Sequence, residues 1–216
     1  MTDPNAPSDQ GKGPADSYRT LMEPAEYESK VQRSRFIALA VPAVDPTETK
    51  AILADVRKRF HDARHVCYAW RLGPEAPYQE KRNDDGEPGG TAGEPILNAI
   101  DRAGLTCILV AVVRYFGGIK LGTGGLGRAY GQAADGALAA GKVRVVEQGK
   151  EFHLTFPYAH QKTLTRMIQQ HGGRILRQAY GEAVSWVIWL PHSTCRRFGA
   201  EVREATAGTV SLKQSG

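Results

Sequence analysis

The residues best suited to bind an anion lie in a glycine-rich segment that follows a strongly apolar stretch of the chain. Residues 109–116 are mainly apolar and β-branched, and six glycines follow within eleven residues. Glycine accepts a positive φ and lets the backbone approach another group without a Cβ. The segment therefore predicts a concave row of backbone N–H groups at the start of a helix near Gly124, which favours a phosphate. The predicted phosphate or nucleic-acid contacts are Arg114, Lys120, Gly122, Thr123, Gly124, Gly125 and Arg128.

The same segment admits two other interpretations. Gly122, Gly124 and Gly127 form a G-x-G-x-x-G pattern, with Glu147 at the distance expected for a dinucleotide-binding fingerprint. Against that interpretation, the glycines begin several residues beyond the last clear strand residue, Phe116, whereas the fingerprint turns tightly off its strand. The third interpretation is that the glycines serve only close packing.

A second group of candidate side chains lies in the acidic turn around residues 83–93. Its carboxylates Asp84, Asp85 and Glu87 stand close together among turn glycines. Paired carboxylates can exchange protons or hold Mg²⁺. The same composition also suits a solvated turn, and the sequence leaves both readings open.

Metal binding is suggested by His61, His65 and Cys67. In an extended segment His65 and Cys67 share one face, whereas His61 falls in the preceding turn, and no fourth ligand is obvious nearby. We therefore expect no metal, no cofactor and no catalytic residue, and we expect His65 to be hydrogen-bonded in a pocket. The candidate pocket-lining residues are Arg35, His65, Asp84, Asp85, Glu87 and Thr91.

Periodicity and turn residues predict the elements that must position these groups. Residues 1–17 are rich in Pro, Gly, Asp and Ser and predict a disordered tail. Thr91 and Glu94 are spaced as a capping box for a short helix, and residues 73–90 read as a long polar loop. The uninterrupted apolar core of residues 105–116 indicates a strand buried on both faces. The predicted strands are 28–42, 65–72 and 105–116, and the predicted helices are 47–60, 91–103 and 125–140.

The pattern changes near residues 141–150, where we place a domain boundary. The remaining chain has the order β-α-β-β-α-β, which is typical of a ferredoxin-like, or split βαβ, domain. Its basic residues form either a solvated face or a polyanion contact. We therefore divide the chain into a tail (1–17), an N-terminal domain (18–145) and a ferredoxin-like C-terminal domain (146–216).

Composition narrows the class of protein. The chain has 216 residues, a net charge of +5 and 41% hydrophobic residues, which suits a globular protein with a mildly basic surface. Its three cysteines form no C-x-x-C pair, so no disulfide framework or zinc ribbon is indicated, and a cytoplasmic location is expected. No apolar run reaches membrane-spanning length, and the N-terminus does not read as a signal peptide.

Four blocks of this sequence resemble the signature motifs of the IMPACT family, in particular its bacterial YigZ branch. Together they span most of the predicted N-terminal domain, and they are long enough to be highly specific. One departure is Gly127, where the family pattern leads us to expect an aliphatic residue. The four blocks are residues 33–38, 61–70, 84–93 and 114–126.

The resemblance implies an α+β protein in which a ribosomal protein S5 domain 2-like domain precedes the ferredoxin-like domain. The same two folds adjoin in domains IV and V of elongation factor G, which contact the ribosome, so the resemblance implies a role in translation. Eukaryotic members of the family are regulators that bind the scaffold protein activating the kinase that senses amino-acid starvation. The resemblance implies no established catalytic activity.

Our leading hypothesis is a non-enzymatic cytoplasmic regulator of translation that binds RNA or the ribosome through its basic glycine-rich loop. No membrane contact and no DNA sequence specificity are expected. The first alternative is an enzyme that holds a small phosphorylated substrate on the glycine loop, with Asp84, Asp85 and Glu87 binding Mg²⁺ or exchanging protons and His65 as general base. The second alternative is a protein-binding adaptor, in which the glycine loop is only architecture.

Overall fold

The computed structural model describes residues 16–215 of the chain. These residues form two compact units, one over residues 18–146 and one over residues 147–215 with Asp16 and Ser17. Most of the tail predicted over residues 1–17 lies outside the described residues. Asp16 and Ser17 lie inside them, and Ser17 already begins a strand.

In chain order the elements up to residue 147 are β1 (Ser17–Leu21), β2 (Ala25–Val31), β3 (Ser34–Pro42), α1 (Pro46–Arg59), β4 (His65–Leu72), β5 (Gln79–Asn83), α2 (Gly93–Ala103), β6 (Ile108–Tyr115), α3 (Gly122–Ala140) and β7 (Val143–Glu147). The first unit is built on a five-stranded sheet whose neighbouring strands are all antiparallel, in the order β2-β3-β6-β4-β5. Strands β1 and β7 form a separate two-stranded sheet.

Strand β6 is central because its side chains are apolar on both faces. Val110 and Val112 belong to the core cluster shared with α2 and α3, whereas Leu109, Ala111 and Val113 belong to the cluster on the α1 side. Burial of both faces, predicted from the uninterrupted apolar run, is therefore confirmed. Its position in the middle of the sheet fixes the place at which the glycine-rich segment leaves the sheet.

Helix α3 packs closely because much of its buried face consists of glycine and alanine. A Cβ at Gly136 would overlap the ring of Tyr27, so this position requires glycine for close approach. At Gly127, by contrast, a Cβ would lie 3.7 Å from Pro95 Cγ, an ordinary van der Waals distance. The fully buried alanines on α3 are Ala129, Ala133, Ala134 and Ala137.

The single strand predicted over residues 28–42 is wrong, because the chain folds there into a hairpin. Gln32 and Arg33 have φ values of 44° and 67° and join β2 to β3 in a two-residue turn. A two-residue turn with positive φ at both positions is usually marked by Asn-Gly or Asp-Gly, and Gln-Arg gives no such signal. A Cβ at Gly117 would overlap the Arg33 carbonyl group, so the glycine-rich segment passes directly against this turn.

Two further local predictions are corrected by the structure. The loop predicted over residues 73–90 contains strand β5, whose side chains are all exposed and polar and so lack a hydrophobic period. The capping box is also wrong: Ala92 occupies the N-cap of α2, and the Thr91 hydroxyl donates to the Pro88 carbonyl at 2.6 Å. Glu94 instead pairs with Arg82 at 2.6 Å.

The second unit has the predicted element order β-α-β-β-α-β. The elements are β8 (Gly149–Phe156), α4 (Gln161–Gln170), β9 (Arg174–Tyr180), β10 (Val184–Pro191), α5 (Cys195–Ala205) and β11 (Leu212–Gln214). The four strands form an antiparallel sheet in the order β11-β8-β10-β9. Leu164 and Ile168 of α4 and Phe198 and Val202 of α5 pack in one core cluster with the sheet. With the mixed first unit, this confirms the α+β class.

Candidate anion-binding cleft

The glycine-rich segment and the acidic turn meet at a single cleft of the first unit, which we call the glycine-loop cleft. It has a volume of about 420 Å³. The blocks that form it are far apart in sequence and converge because β4 and β6 are neighbours in the sheet. The lining residues are Arg64, His65, Glu87, Pro88, Arg114, Phe116, Lys120, Leu121, Gly122, Thr123 and Leu126.

The start of α3 forms one side of the cleft through Gly122 and Thr123. Leu121 stands at the N-cap, and among the described residues no side chain caps this end; the first turn also lacks an acidic residue. The first N–H groups of a helix have no partner within the helix, and the helix dipole places partial positive charge there. This end of α3 can therefore donate hydrogen bonds to an anion.

A buried ion pair forms the inner wall of the cleft. Arg114 Nη1 donates to Glu87 Oε1 at 2.6 Å, and the two side chains are only 7% and 5% exposed. The Tyr130 hydroxyl donates to the same Glu87 oxygen at 2.8 Å. Glu87 Oε1 thus accepts from two donors at once, and this short, buried ion pair fixes the guanidinium in place.

Arg114 keeps hydrogen-bonding capacity beyond this pair. Its Nη2 reaches the Ser34 hydroxyl only at 3.5 Å, and its buried Nε has no partner among residues 16–215. The guanidinium lies between the rings of Phe36 and Phe116, at 5.6 and 5.4 Å from their centroids. A buried donor without a partner costs free energy, so this arginine is held in an incompletely satisfied state beside the cleft.

His65 presents a defined tautomer when it is neutral. Its Nδ1 lies 2.7 Å from the Asp85 carbonyl oxygen, which can only accept, so Nδ1 carries the proton. The other ring nitrogen, Nε2, then holds a lone pair. Since His65 is among the lining residues, the cleft combines hydrogen-bond donors with an imidazole that can accept a proton.

Asp84 acts on the backbone rather than on the cleft. Its carboxylate accepts three hydrogen bonds at 2.9 Å from the N–H groups of Gly90, Ala92 and Gly93, at the start of α2. Burial alone would raise the pKa of Asp84, but the three N–H donors outweigh it and hold the pKa below its usual range. Asp84 thus caps α2 from outside the helix, by accepting from the N–H groups of the N-cap residue Ala92 and of Gly93, and it takes the role that the sequence assigned to Thr91.

Asp85 has a similar structural role. It accepts from Arg57 Nη2 at 2.8 Å and from the Val66 N–H at 2.7 Å. Burial opposes ionisation, yet these two donors hold the pKa of Asp85 below its usual range. Neither Asp84 nor Asp85 lines the cleft. Among the described residues, no group of three or more His, Cys, Asp or Glu side chains is arranged to hold a metal ion.

Cys67 lies behind the cleft and is held as a thiol. Burial is the main reason that its pKa is raised to about 12. The Sγ atom donates to the Asp84 carbonyl at 2.9 Å and lies 3.4 Å from the Tyr130 hydroxyl. The pKa of Tyr130 is likewise raised, chiefly by burial. These two groups therefore tie the acidic turn to α3 in their neutral forms.

The structure separates the remaining predicted residues from the cleft. Arg35 pairs with Glu28 at 2.8 Å, and Arg128 lines a different groove of the first unit with Asp135. Gly124 and Gly125 stand in the first turn of α3 but are not lining residues.

Sequence reasoning missed several residues that build the cleft. Those residues are Ser34, Arg64, Phe116, Leu121, Leu126 and Tyr130.

Five of these six residues carried a signal in the sequence, because they stand inside the motifs over residues 33–38, 61–70 and 114–126, whereas Tyr130 lies outside all four motifs. The dinucleotide interpretation is excluded by topology. Strand β6 is antiparallel to both of its neighbours, β3 and β4, whereas the fingerprint requires a parallel βαβ unit.

Comparisons with known proteins agree with the motifs. The Impact N-terminal domain family matches residues 32–138, and a family described as a domain of unknown function (DUF1949) matches residues 154–209. None of the helices within residues 16–215 has the length and apolarity needed to span a bilayer.

The chain is similar over most of its length to two bacterial proteins. It is 34% identical to the IMPACT family member YigZ of Escherichia coli (strain K12), over 88% of this chain and 93% of that protein. It is 32% identical to the IMPACT family member YvyE of Bacillus subtilis (strain 168), over 92% of this chain and 91% of that protein. A solved structure described as a hypothetical protein is 32% identical, with a TM-score of 0.65 over 94% of this chain and 98% of that chain. The chain therefore belongs to the IMPACT family.

Proposed function

We propose that this protein is a non-enzymatic regulator of translation that binds RNA by seating a phosphate in the glycine-loop cleft. The observation that carries the proposal is the free start of α3, which lies in one cleft with Arg114 and Lys120. Backbone N–H groups and lysine bind phosphate without reading sequence. The translation setting rests on the resemblance to domains IV and V of elongation factor G and on membership of the IMPACT family.

The charge of the cleft supports an anionic ligand. Its lining contains three cationic side chains, Arg64, Arg114 and Lys120, against one carboxylate, Glu87, which leaves an excess of two positive charges. Within the described residues, neither Arg64 nor Lys120 forms an ion pair, so both charges are available to a ligand. Charges in a cleft with low-dielectric walls focus the field and raise the local concentration of a counter-ion.

We also propose the two finer fold assignments, an S5 domain 2-like domain over residues 18–145 and a ferredoxin-like domain over residues 146–216. The second is supported by the β-α-β-β-α-β order and by the antiparallel arrangement β11-β8-β10-β9. Fold alone does not establish function, so the cleft carries the functional argument.

A second function, an enzyme acting on a small phosphorylated substrate, is favoured by one observation. His65 lines the same cleft as the proposed phosphate contacts, and its Nε2 atom holds a lone pair when the ring is neutral. Asp84 and Asp85 are engaged with backbone N–H groups and Arg57, and Glu87 is engaged with Arg114. Any proton transfer in this function would fall to His65.

The proposal is tested by titrating the full chain with a fluorescent single-stranded RNA at two salt concentrations. Lys120→Ala is expected to weaken binding several-fold and to reduce the salt slope by about 0.7. Arg128→Ala is the matched control, because it removes an equal charge close in sequence but outside the cleft. Salt-independent affinity, or equal affinity of Lys120→Ala and wild type, would refute the proposal.

A further inference from the structure

We infer that the glycine-loop cleft takes the terminal phosphate of an RNA end, a phosphomonoester, and not an internal phosphodiester. The inference deepens the proposed function and rests on it for the identity of the RNA. It starts from the depth of Arg114, whose side chain lines the cleft although it is only 7% exposed. A phosphate must enter the cleft to reach this guanidinium.

The shape of the cleft separates the two kinds of phosphate. An internal phosphate carries a nucleoside on each side, so two chain directions must leave the site. A terminal phosphate carries only one. A cleft of about 420 Å³ is in the range that encloses one small ligand. It therefore accommodates one end of a strand, whereas a continuous strand would have to keep two chain directions outside it.

The hydrogen-bond donors that lack a partner also favour a phosphomonoester. Arg114 is fixed by Glu87, yet its Nε has no partner among residues 16–215 and its Nη2 contact with Ser34 is long at 3.5 Å. The open N–H groups at the start of α3 add donors from another side. A phosphomonoester offers three terminal oxygens, whereas a phosphodiester offers two, so the monoester can accept hydrogen bonds from more of these donors.

The charge balance also fits a monoester. The lining carries an excess of two positive charges, and a phosphomonoester has a charge of about −1.5 to −2 at pH 7. A phosphodiester carries a single negative charge. Lys120 and Arg64 lack ion-pair partners within the described residues, so the entering dianion is the group that would neutralise them.

An apolar side of the cleft suits the nucleoside that follows the phosphate. Phe116 is a lining residue, is 51% exposed and has the Arg114 guanidinium 5.4 Å from its centroid. Leu121 and Leu126 extend the apolar lining. An exposed aromatic ring gives a base a stacking surface that does not depend on sequence.

The test measures, by calorimetric titration at fixed salt, the affinity of the full chain for one short RNA in three forms. The RNA carries a 5′-phosphate, a 3′-phosphate or hydroxyl groups at both ends. Adenosine 5′-monophosphate and adenosine are titrated in the same way as small probes. We expect a phosphorylated end to bind at least tenfold more tightly than the hydroxyl form. Lys120→Ala should remove most of this preference, and Arg128→Ala should retain it.

The outcomes distinguish failure of the inference from failure of the proposed function. Equal, salt-sensitive affinity for all three RNAs would overturn the inference and leave RNA binding intact. Binding of adenosine 5′-monophosphate without binding of any RNA would support the phosphomonoester site and overturn the RNA function. Absence of binding to every probe would overturn both.

Discussion

Replacing Asp84 by asparagine tests whether this side chain is the structural cap of α2. The carboxylate accepts three N–H groups, from Gly90, Ala92 and Gly93. In Asp84→Asn one oxygen still accepts from two of these donors, but without a charge, and the amide nitrogen faces the third donor. A hydrogen bond to a charged acceptor is about twice as strong as one to a neutral acceptor. The substitution also removes the negative charge that interacts favourably with the dipole at the N-terminus of α2. We expect a loss of about 3 kcal/mol in the free energy of unfolding.

The assay is urea unfolding followed as a function of pH. Because the folded pKa of Asp84 is lowered, its stabilisation is complete above the unfolded pKa of about 3.9 and disappears as pH falls through the folded pKa. The difference between wild type and Asp84→Asn should therefore be largest near neutral pH and shrink in acid.

Asp55→Asn is the matched control, since Asp55 is exposed on α1. Its effect should stay within about 0.5 kcal/mol. A loss below about 1 kcal/mol for Asp84→Asn at neutral pH, or a loss that persists unchanged near pH 2, would refute the capping role.

Three further variants and one labelling experiment test other parts of the first unit. Gly127→Ala should raise the free energy of unfolding by about 0.5–1 kcal/mol, because the added Cβ has room on α3. Gly136→Ala should lower it, because the added Cβ would overlap the ring of Tyr27. Equal urea midpoints for the two variants and the wild type would contradict both expectations. Glu87→Gln should destabilise by about 3 kcal/mol, since it leaves the charge of Arg114 buried without a counter-charge; a neutral effect in the same assay would show that the pair is not essential. Cys67 should resist iodoacetamide in the native protein at neutral pH, because its pKa is raised to about 12, and mass-spectrometric mapping of labelled Cys67 in folded protein would show otherwise.

Local patterns in the sequence predicted several elements well. The apolar run around residues 108–115 identified the central strand. Both faces of this strand are buried, so apolar side chains do not alternate with polar ones along it. The helix predicted over 47–60 was found over Pro46–Arg59. The hairpin turn at Gln32 and Arg33 was missed because its positive φ values are imposed by strand pairing, without the usual turn residues.

What the sequence determined by itself is the order of elements in the second unit, the family and the presence of an open, glycine-rich helix start near Arg114 and Lys120. These features follow from residue types and from the spacing of apolar residues, which depend only on neighbouring positions in the chain. Only the tertiary structure decided which polar side chains face the cleft. It turned Asp84 and Asp85 towards backbone donors and set Glu87 against Arg114.

The physical reason is that each of these side chains is oriented by a distant partner. Ser34 and Arg114 meet across 80 residues, and Glu87 and Tyr130 meet across 43. A carboxylate in a turn has the same local sequence whether it binds a ligand or caps a helix. Its role is settled by the donors that the fold brings within hydrogen-bonding distance, and those donors come from sheet register and helix packing.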